Sequence, residues 1–361
     1  MSVQKRRINN LRKIIDDNSV ALLITGENNI YYFSGFQKSE GAMLVTRDES
    51  YLLVDFRYVE AATKTACDCK VIEFKSLVDE VKALLQKHDI KTLILESDVV
   101  TVSKYNKYVR AFNEVGVSIV SDDTLSKAIS NLRIIKSEEE IAFISEAQRI
   151  TEMSYNEVLN FIKPGISEKT VANELEYLMK KNGAEGISFD LITITGKKTS
   201  LPHGVPSDDV INEGDFFTMD IGALYNGYHS DMTRTVAVKS CSNEQREIYD
   251  IVLKAQISAL NAVKSGVKAC DVDKIARDII TDAGYGENFG HSTGHGVGLD
   301  IHEAPFVSPK GETILSDNMI ITIEPGIYLE NKFGVRIEDM VMVQNNGFRN
   351  FATLDKELII V

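Results

Sequence analysis

The sequence is informative first for what it lacks. No apolar run approaches the roughly 20 residues that a membrane-spanning helix needs, so a membrane protein is not expected. The N-terminus, MSVQKRRINNLRKIIDD, is basic but has no apolar segment behind it, so it does not resemble a secretory signal. Cysteine is scarce. Cys67, Cys69, Cys241 and Cys270 are irregularly spaced and form no CxxC pair, which argues against a disulfide framework or a thiolate metal site. They are expected to be free, buried thiols in a cytoplasmic chain. Positive charge is also short: 40 Lys and Arg stand against 53 Asp and Glu, a formal net charge of −13. Such a surface repels phosphate backbones, and no Lys/Arg run offsets it, so nucleic acid is not an expected partner. Low-complexity segments and short solenoid periods are absent as well.

What remains is an ordinary globular balance, 43% hydrophobic and 26% charged, sufficient for a packed core. The length of 361 residues suggests two domains or one large one. Residues 1–131 alternate strand and helix patterns. GAMLVT and SYLLVDF flank the polar turn RDE as a hairpin, IKTLILES follows as a buried strand, and SLVDEVKALLQKH and KYNKYVRAFNEV have helical spacing. An α/β domain with a mixed sheet is expected there, with no cluster of histidines or carboxylates. Ser137 and Glu140 then form a capping box that opens a long helix stopped by Pro164-Gly165. Three more helical patterns lie in EKTVANELEYLMKKNG, NEQREIYDIVLKAQISALNAVKSG and DVDKIARDIITDAG, with strand-like segments between and after them. Residues 132–361 are therefore expected to form an α+β domain.

Three segments of that second domain carry chemistry. In FFTMDIGALYNGYHSDMTRTVAV, Asn226-Gly227 between alternating apolar runs predicts a two-residue hairpin turn. That register sets Asp220 opposite Thr233 and Asp231 opposite Gly222, with Asp220, Asp231 and Thr233 on one face. The two carboxylates are then diagonal neighbours, roughly 5–8 Å apart. They would repel one another unless a cation lay between them, or unless both faced solvent. In MIITIEPGIYLENKFGVRIEDMVMV, two strongly apolar strands carry Glu324 and Glu338, and an unpaired glutamate in so apolar a strand is costly. Arg336 could pair with one of them but not both. Finally, FGHSTGHGVGLDIHEAP places His291, His295 and His302 among four glycines. Four carboxylates with imidazole suit Mn(II), Co(II), Fe(II) or Zn(II) rather than Ca(II). Two such cations would lower the pKa of a shared water and stabilise an oxyanion.

MDIGALYNGYHSDMTRT, HSTGHGVGLDIHE, ITIEPGIY and GVRIEDMV, in that order, resemble the pita-bread metallopeptidases of the proline-specific branch, aminopeptidase P and prolidase. NIYYFSGF and VDFRYVEAA resemble the creatinase-type N-terminal domain. The resemblance implies an α/β creatinase-like N-terminal domain followed by an α+β pita-bread catalytic domain. It further implies two divalent ions, Mn(II) foremost, held by Asp220, Asp231, His295, Glu324 and Glu338, with Asp231 and Glu338 bridging and Glu324 also acting as general base. By the same resemblance His203, in LPHGVP, and His302 meet the substrate. Arg336 supports the bridging glutamate, and His291 shapes the pocket. Phe189, Tyr228 and Tyr328 are candidates for an apolar proline pocket. His229 acquires no role and is expected to be a packing or solvated histidine. A homodimer acting on peptides with proline at the second position is implied.

Other readings of the same residues stay open. Methionine aminopeptidases usually lack such an N-terminal domain, and creatinase lacks the five ligands. A catalytically inactive pita-bread binding protein would be expected to have lost ligands, and none is missing. Between an Xaa-Pro aminopeptidase and an Xaa-Pro dipeptidase the first is preferred. The chain ends soon after the last ligand strand, with no insertion to close the far end of the cleft.

Overall fold

The computed structural model describes residues 1–37 and 40–361. They divide into two compact units, Met1–Arg133 and Ile134–Val361.

The first unit is built on one six-stranded sheet. Its strands are β1 (Val20–Ile24), β2 (Ala42–Val45), β3 (Ser50–Val54), β4 (Lys70–Glu73), β5 (Thr92–Leu95) and β6 (Ser118–Val120), in the order β4-β3-β2-β1-β5-β6. β1, β2 and β3 pair antiparallel, while β3–β4, β1–β5 and β5–β6 are parallel, which is the mixed sheet expected. Ser76 and Thr101 cap the helices Leu77–Lys87 and Val102–Asn113. Their apolar stripes, Val81, Leu84 and Leu85 on one and Tyr108 and Phe112 on the other, pack into a core with Leu23, Leu44, Leu53 and Leu93. NIYYFSGF lies largely on a helix, Glu27–Ser34, which strand patterning alone did not reveal. The cysteine expectation needs correction. All four are free, but Cys67 is exposed and the others are only partly buried. Asp68 between the first two takes a left-handed conformation (φ 57°), so Cys67 and Cys69 flank a bend and are not on a strand.

In the second unit the capping box forms as expected. Ser137 and Glu140 close it at the start of the helix Glu138–Leu159. The helix Glu168–Lys181 packs beside it, and Asn243–Ala262 packs beside Ala269–Asp282. Ile248, Val252, Ala255, Val272, Ala276 and Ile280 are fully buried in the shared core of the latter pair. Each buried Val or Ile contributes about 1.5–3 kcal/mol, so this seam is a main anchor for the strands beneath it.

The strands of this unit are β7 (Gly186–Ile187), β8 (Ile192–Thr195), β9 (Phe216–Ile221), β10 (Ala223–Tyr225), β11 (Tyr228–His229), β12 (Met232–Ala237), β13 (Gly294–Gly296), β14 (Glu303–Val307), β15 (Ile320–Ile323), β16 (Gly326–Leu329), β17 (Phe333–Arg336), β18 (Asp339–Gln344) and β19 (Gly347–Asn350). They form sheets ordered β11-β10-β7, β12-β9-β8 and β14-β13-β15-β18-β19, plus the ribbon β16–β17. The single long hairpin expected around Glu324 and Glu338 is therefore split. β15 pairs with β18 in one sheet, β16 pairs with β17 in another, and both glutamates stand at the break. No helix among the described residues is long and apolar enough to cross a membrane.

Candidate metal centre

Local sequence brings the acidic residues together. Asn226 and Gly227 both have positive φ, 48° and 75°, as a tight two-residue hairpin turn requires. The register that follows pairs Thr233 with Asp220 and Met232 with Ile221, as the sequence predicts. Asp231 thus falls opposite Gly222, where an added Cβ would lie 2.0 Å from the Ser230 carbonyl oxygen. In the second ribbon Ile323 pairs with Asp339 and Gly326 with Arg336. Extending either register by one or two residues sets Glu324 opposite Glu338. His295 is delivered by β13, which runs between β14 and β15. Gly294 allows this: a Cβ there would sit 1.9 Å from the Thr322 carbonyl oxygen.

The result is a buried cluster of opposing charges. Asp231, His295 and Glu338 each offer a ligand atom, and these atoms lie within 4.8 Å of one another. His295 Nε2 lies 3.3 Å from Glu324 Oε1 and 3.5 Å from Asp231 Oδ2. Its Nδ1 is 3.0 Å from the Gly296 carbonyl oxygen, so the Nδ1–H donates there and Nε2 faces the carboxylates. Thr233 Oγ1 donates to Glu338 at 2.7 Å. Arg336 donates to Asp220 Oδ2 at 2.6 Å, to Thr233 Oγ1 at 3.1 Å, to the Tyr328 hydroxyl at 2.8 Å and to the Pro202 carbonyl at 3.2 Å. The Arg336–Glu338 pair considered from sequence is replaced by this Arg336–Asp220 bond. The donors of Arg336 are thus turned to protein acceptors.

The electrostatics are those of a site arranged for positive charge. Burial, then the neighbouring charge of Asp220, pushes the Asp231 carboxyl well above its ordinary pKa. Burial and Asp231 do the same to Glu338. Burial would raise Glu324 too, but its hydrogen bond to His295 prevails and holds it at about 2. Burial opposes the charge on His295, yet Glu324 and Asp231 lift that imidazole to about 9. Without a cation, a proton on Nε2 takes the place that a metal would occupy. Asp220 Oδ1 is buried and has no hydrogen-bond partner among the described residues. An orphaned carboxylate oxygen beside three more carboxylates and an imidazole lone pair fits a divalent cation set.

A cavity of about 470 Å³ opens onto these groups. It is lined by all five expected ligands and by His203, His302, His291, Phe189 and Arg336. His302 lies edge-on to His295 with ring centroids 4.4 Å apart. His291 is held by the Ser292 carbonyl at 2.8 Å and by the Tyr328 hydroxyl at 2.9 Å, and burial lowers its pKa, so it forms a neutral wall. Two expected pocket residues are elsewhere. Tyr228 is only 2% exposed, at the turn end of its ribbon, where its hydroxyl donates to Glu140. It sits three residues along the strand from Asp231, too far to reach the cavity. Tyr328 does not line the cavity either; it stands behind His291 and Arg336 and bridges them. His229 is a packing histidine as expected, 2.8 Å from Ser188 Oγ and lowered in pKa by burial. The sequence reading missed the remaining walls, Asp190, Ile192, Ile301 and Phe306 among them. Thr233 was placed on the correct face by parity alone, but its bond to Glu338 had no sequence signal.

Comparison with known proteins matches this geometry. The family model for metallopeptidase family M24 covers residues 142–345, and that for the Creatinase/Prolidase N-terminal domain covers residues 7–135. The chain belongs to metallopeptidase family M24. Membership carries peptidase activity and implies divalent metal ions. Among this M24 peptidase's relatives, a Pyrococcus furiosus protein named Xaa-Pro dipeptidase is 42% identical, over 98% of this chain and 100% of its own. The structure of an Xaa-Pro dipeptidase from Bacillus anthracis superposes with a TM-score of 0.95 at 40% identity, covering 99% of this chain and 100% of that one. An X-Pro aminopeptidase from Thermotoga maritima gives 0.88 at 38% identity, covering 94% and 97%. The expected two-domain architecture, creatinase-type N-terminal domain plus pita-bread catalytic domain, is the one these relatives share.

Proposed function

We propose that this M24 peptidase is an Xaa-Pro dipeptidase whose metals are held by Asp220, Asp231, His295, Glu324 and Glu338. The observation that carries the dipeptidase reading is the full-length similarity to relatives of that name, 42% and 40% identical over 98% and 99% of this chain. It displaces the aminopeptidase preferred from sequence, which had rested only on the missing insertion. Mn(II) is the metal proposed from the mixed carboxylate and imidazole donors.

Two divalent ions at these residues would lower the pKa of a shared water and polarise the scissile carbonyl. The protein's own groups then divide the work. Glu324, a carboxylate hydrogen-bonded by Thr322 Oγ1 at 3.1 Å, accepts the water proton and returns it to the proline nitrogen. His203 and His302, both exposed to the cavity, donate to the carbonyl oxygen as it gains charge. Arg336 fixes Asp220 through one oxygen and so leaves Oδ1 for the metal. Phe189, Ile192 and Phe306 offer an apolar wall for the proline ring.

A second reading, Xaa-Pro aminopeptidase, draws on one feature of the cavity. Its arginine is already bonded to Asp220, so a dipeptide's free carboxylate would have to be met by the pocket histidines. A side-by-side assay with Mn(II) separates the two. The dipeptidase reading expects an Xaa-Pro dipeptide to be cleaved at least about tenfold faster, in kcat/KM, than the matching Xaa-Pro-Yaa tripeptide; that is about 1.4 kcal/mol of transition-state preference. Equal or faster cleavage of the tripeptide would transfer the assignment to the aminopeptidase.

A further inference from the structure

The segment from Gly298 to Glu303 carries His302 into the cavity, and a buried lysine far away in sequence lies beneath it. Lys136 is 2% exposed, and its backbone N–H donates to the Asn318 carbonyl at 2.9 Å. Its Nζ lies 2.8 Å from Glu303 Oε1, with the two side chains 1% and 10% exposed. Glu303 Oε2 in turn accepts the Asp300 backbone N–H at 3.4 Å. The loop is wrapped tightly around that carboxylate: a Cβ on Gly298 would sit 2.5 Å from Glu303 Oε1. Gly298 N–H donates to the Asp300 carbonyl at 3.1 Å, and the Gly298 carbonyl accepts the His229 N–H at 3.0 Å. His302 is the residue immediately before Glu303. Moving the carboxylate therefore moves the imidazole that rests on His295.

A buried ammonium is expensive unless it is paired, and Lys136 is paired with Glu303. We propose that Lys136 is a positioning residue for His302, acting through Glu303 to hold the 298–303 loop in the shape that places this imidazole in the cavity. This rests on the peptidase reading above for the part that His302 plays. The chain of contacts itself, from Lys136 to Glu303 to the loop, does not depend on it. A neutral residue of similar length at 136 removes the buried ammonium that holds Glu303 Oε1, and the loop shifts with the carboxylate.

The test uses the full chain loaded with Mn(II) and an Xaa-Pro dipeptide, with three variants: Lys136→Met, Lys136→Met/Glu303→Gln and His302→Gln. Lys136→Met is expected to lower kcat at least tenfold while KM and bound metal per chain stay within twofold. If that variant does not fold, the double variant, which removes both buried charges, is expected to melt near the wild type yet show the same loss of kcat. Wild-type kcat in either folded variant would overturn the proposal, as would equal losses in kcat and bound metal. A readout independent of substrate comes from the imidazole NMR signals of His302 in the metal-free protein, where no paramagnetic Mn(II) broadens them, assigned by their disappearance in His302→Gln. They should shift in the folded Lys136 variant, and unchanged signals would refute the proposal. Failure of the wild type itself to cleave the dipeptide would instead count against the functional reading, and the NMR comparison would still decide the role of Lys136.

Discussion

Glu338→Gln is expected to abolish turnover and, in the metal-free protein, to raise the melting temperature. Both effects follow from one arrangement. The Glu338 side chain is buried at 1% exposure, repelled by Asp231, Glu324 and Asp220 and attracted by Arg336. Burial and that crowding hold its carboxyl well above its ordinary pKa. A glutamine keeps the shape and still accepts the Thr233 hydroxyl, but removes one negative charge. In the absence of metal this relieves repulsion; each 1 kcal/mol relieved in a unit of this size raises Tm by roughly 2–4 °C. With metal, the same change deletes a ligand that no neighbour replaces, so binding and activity collapse.

The pH dependence has a definite sign. A carboxyl whose folded pKa is raised binds its proton more tightly in the folded state, so it costs stability as pH rises above its unfolded value. The Tm advantage of metal-free Glu338→Gln over metal-free wild type should therefore vanish below about pH 4 and grow towards neutrality. Thermal melts of the two metal-free proteins between pH 4 and 8 measure it. A variant less stable than wild type throughout would mean that the buried carboxylates do not strain the metal-free fold.

Glu324→Gln is expected to lower kcat at least a hundredfold with the fold unchanged, the loss typical of removing a positioned general base. Glutamine still accepts from Thr322 but takes no proton from water. In the metal-free protein the hydrogen bond to His295 holds Glu324 ionised, at about 2, despite its burial; a cation replacing the His295 proton would keep it ionised in turn. Steady-state kinetics beside a thermal melt decide the matter, and near-normal turnover in the folded variant would reject the assignment. The two variants differ in a useful way. Glu338→Gln acts through the metals, whereas Glu324→Gln also acts on the proton, so added Mn(II) should rescue neither fully but should restore binding better in the second.

Asp220 and Asp231 were legible because their pairing depends on local rules, whereas the full set of proposed ligands came from the family resemblance. Asn226-Gly227 fixes a turn, the turn fixes a register, and strand parity then puts Asp220, Asp231 and Thr233 on one face. Capping residues and apolar spacing similarly located the long helices. The second ribbon was harder, because Glu324-Pro325 and Ile337-Glu338 interrupt the strands just where they pass from one sheet to another, and continuous apolar patterning hides such a break. The pocket walls were least legible. Tyr228 and Tyr328 share composition with a proline pocket, but whether an aromatic ring lines a cavity or braces it from behind depends on packing between distant segments. Arg336 shows the same limit. Its sequence neighbour Glu338 suggests one partner, and the fold supplies another, Asp220, from 116 residues away.

The most direct test of the account is to count metal and activity together. Wild-type protein stripped by chelator, and verified metal-free, should lose Xaa-Pro hydrolysis, bind two Mn(II) per chain on titration and recover activity as they fill. Hydrolysis that continued unchanged in the verified metal-free protein would contradict the central claim that these five side chains hold the cations on which the chemistry depends.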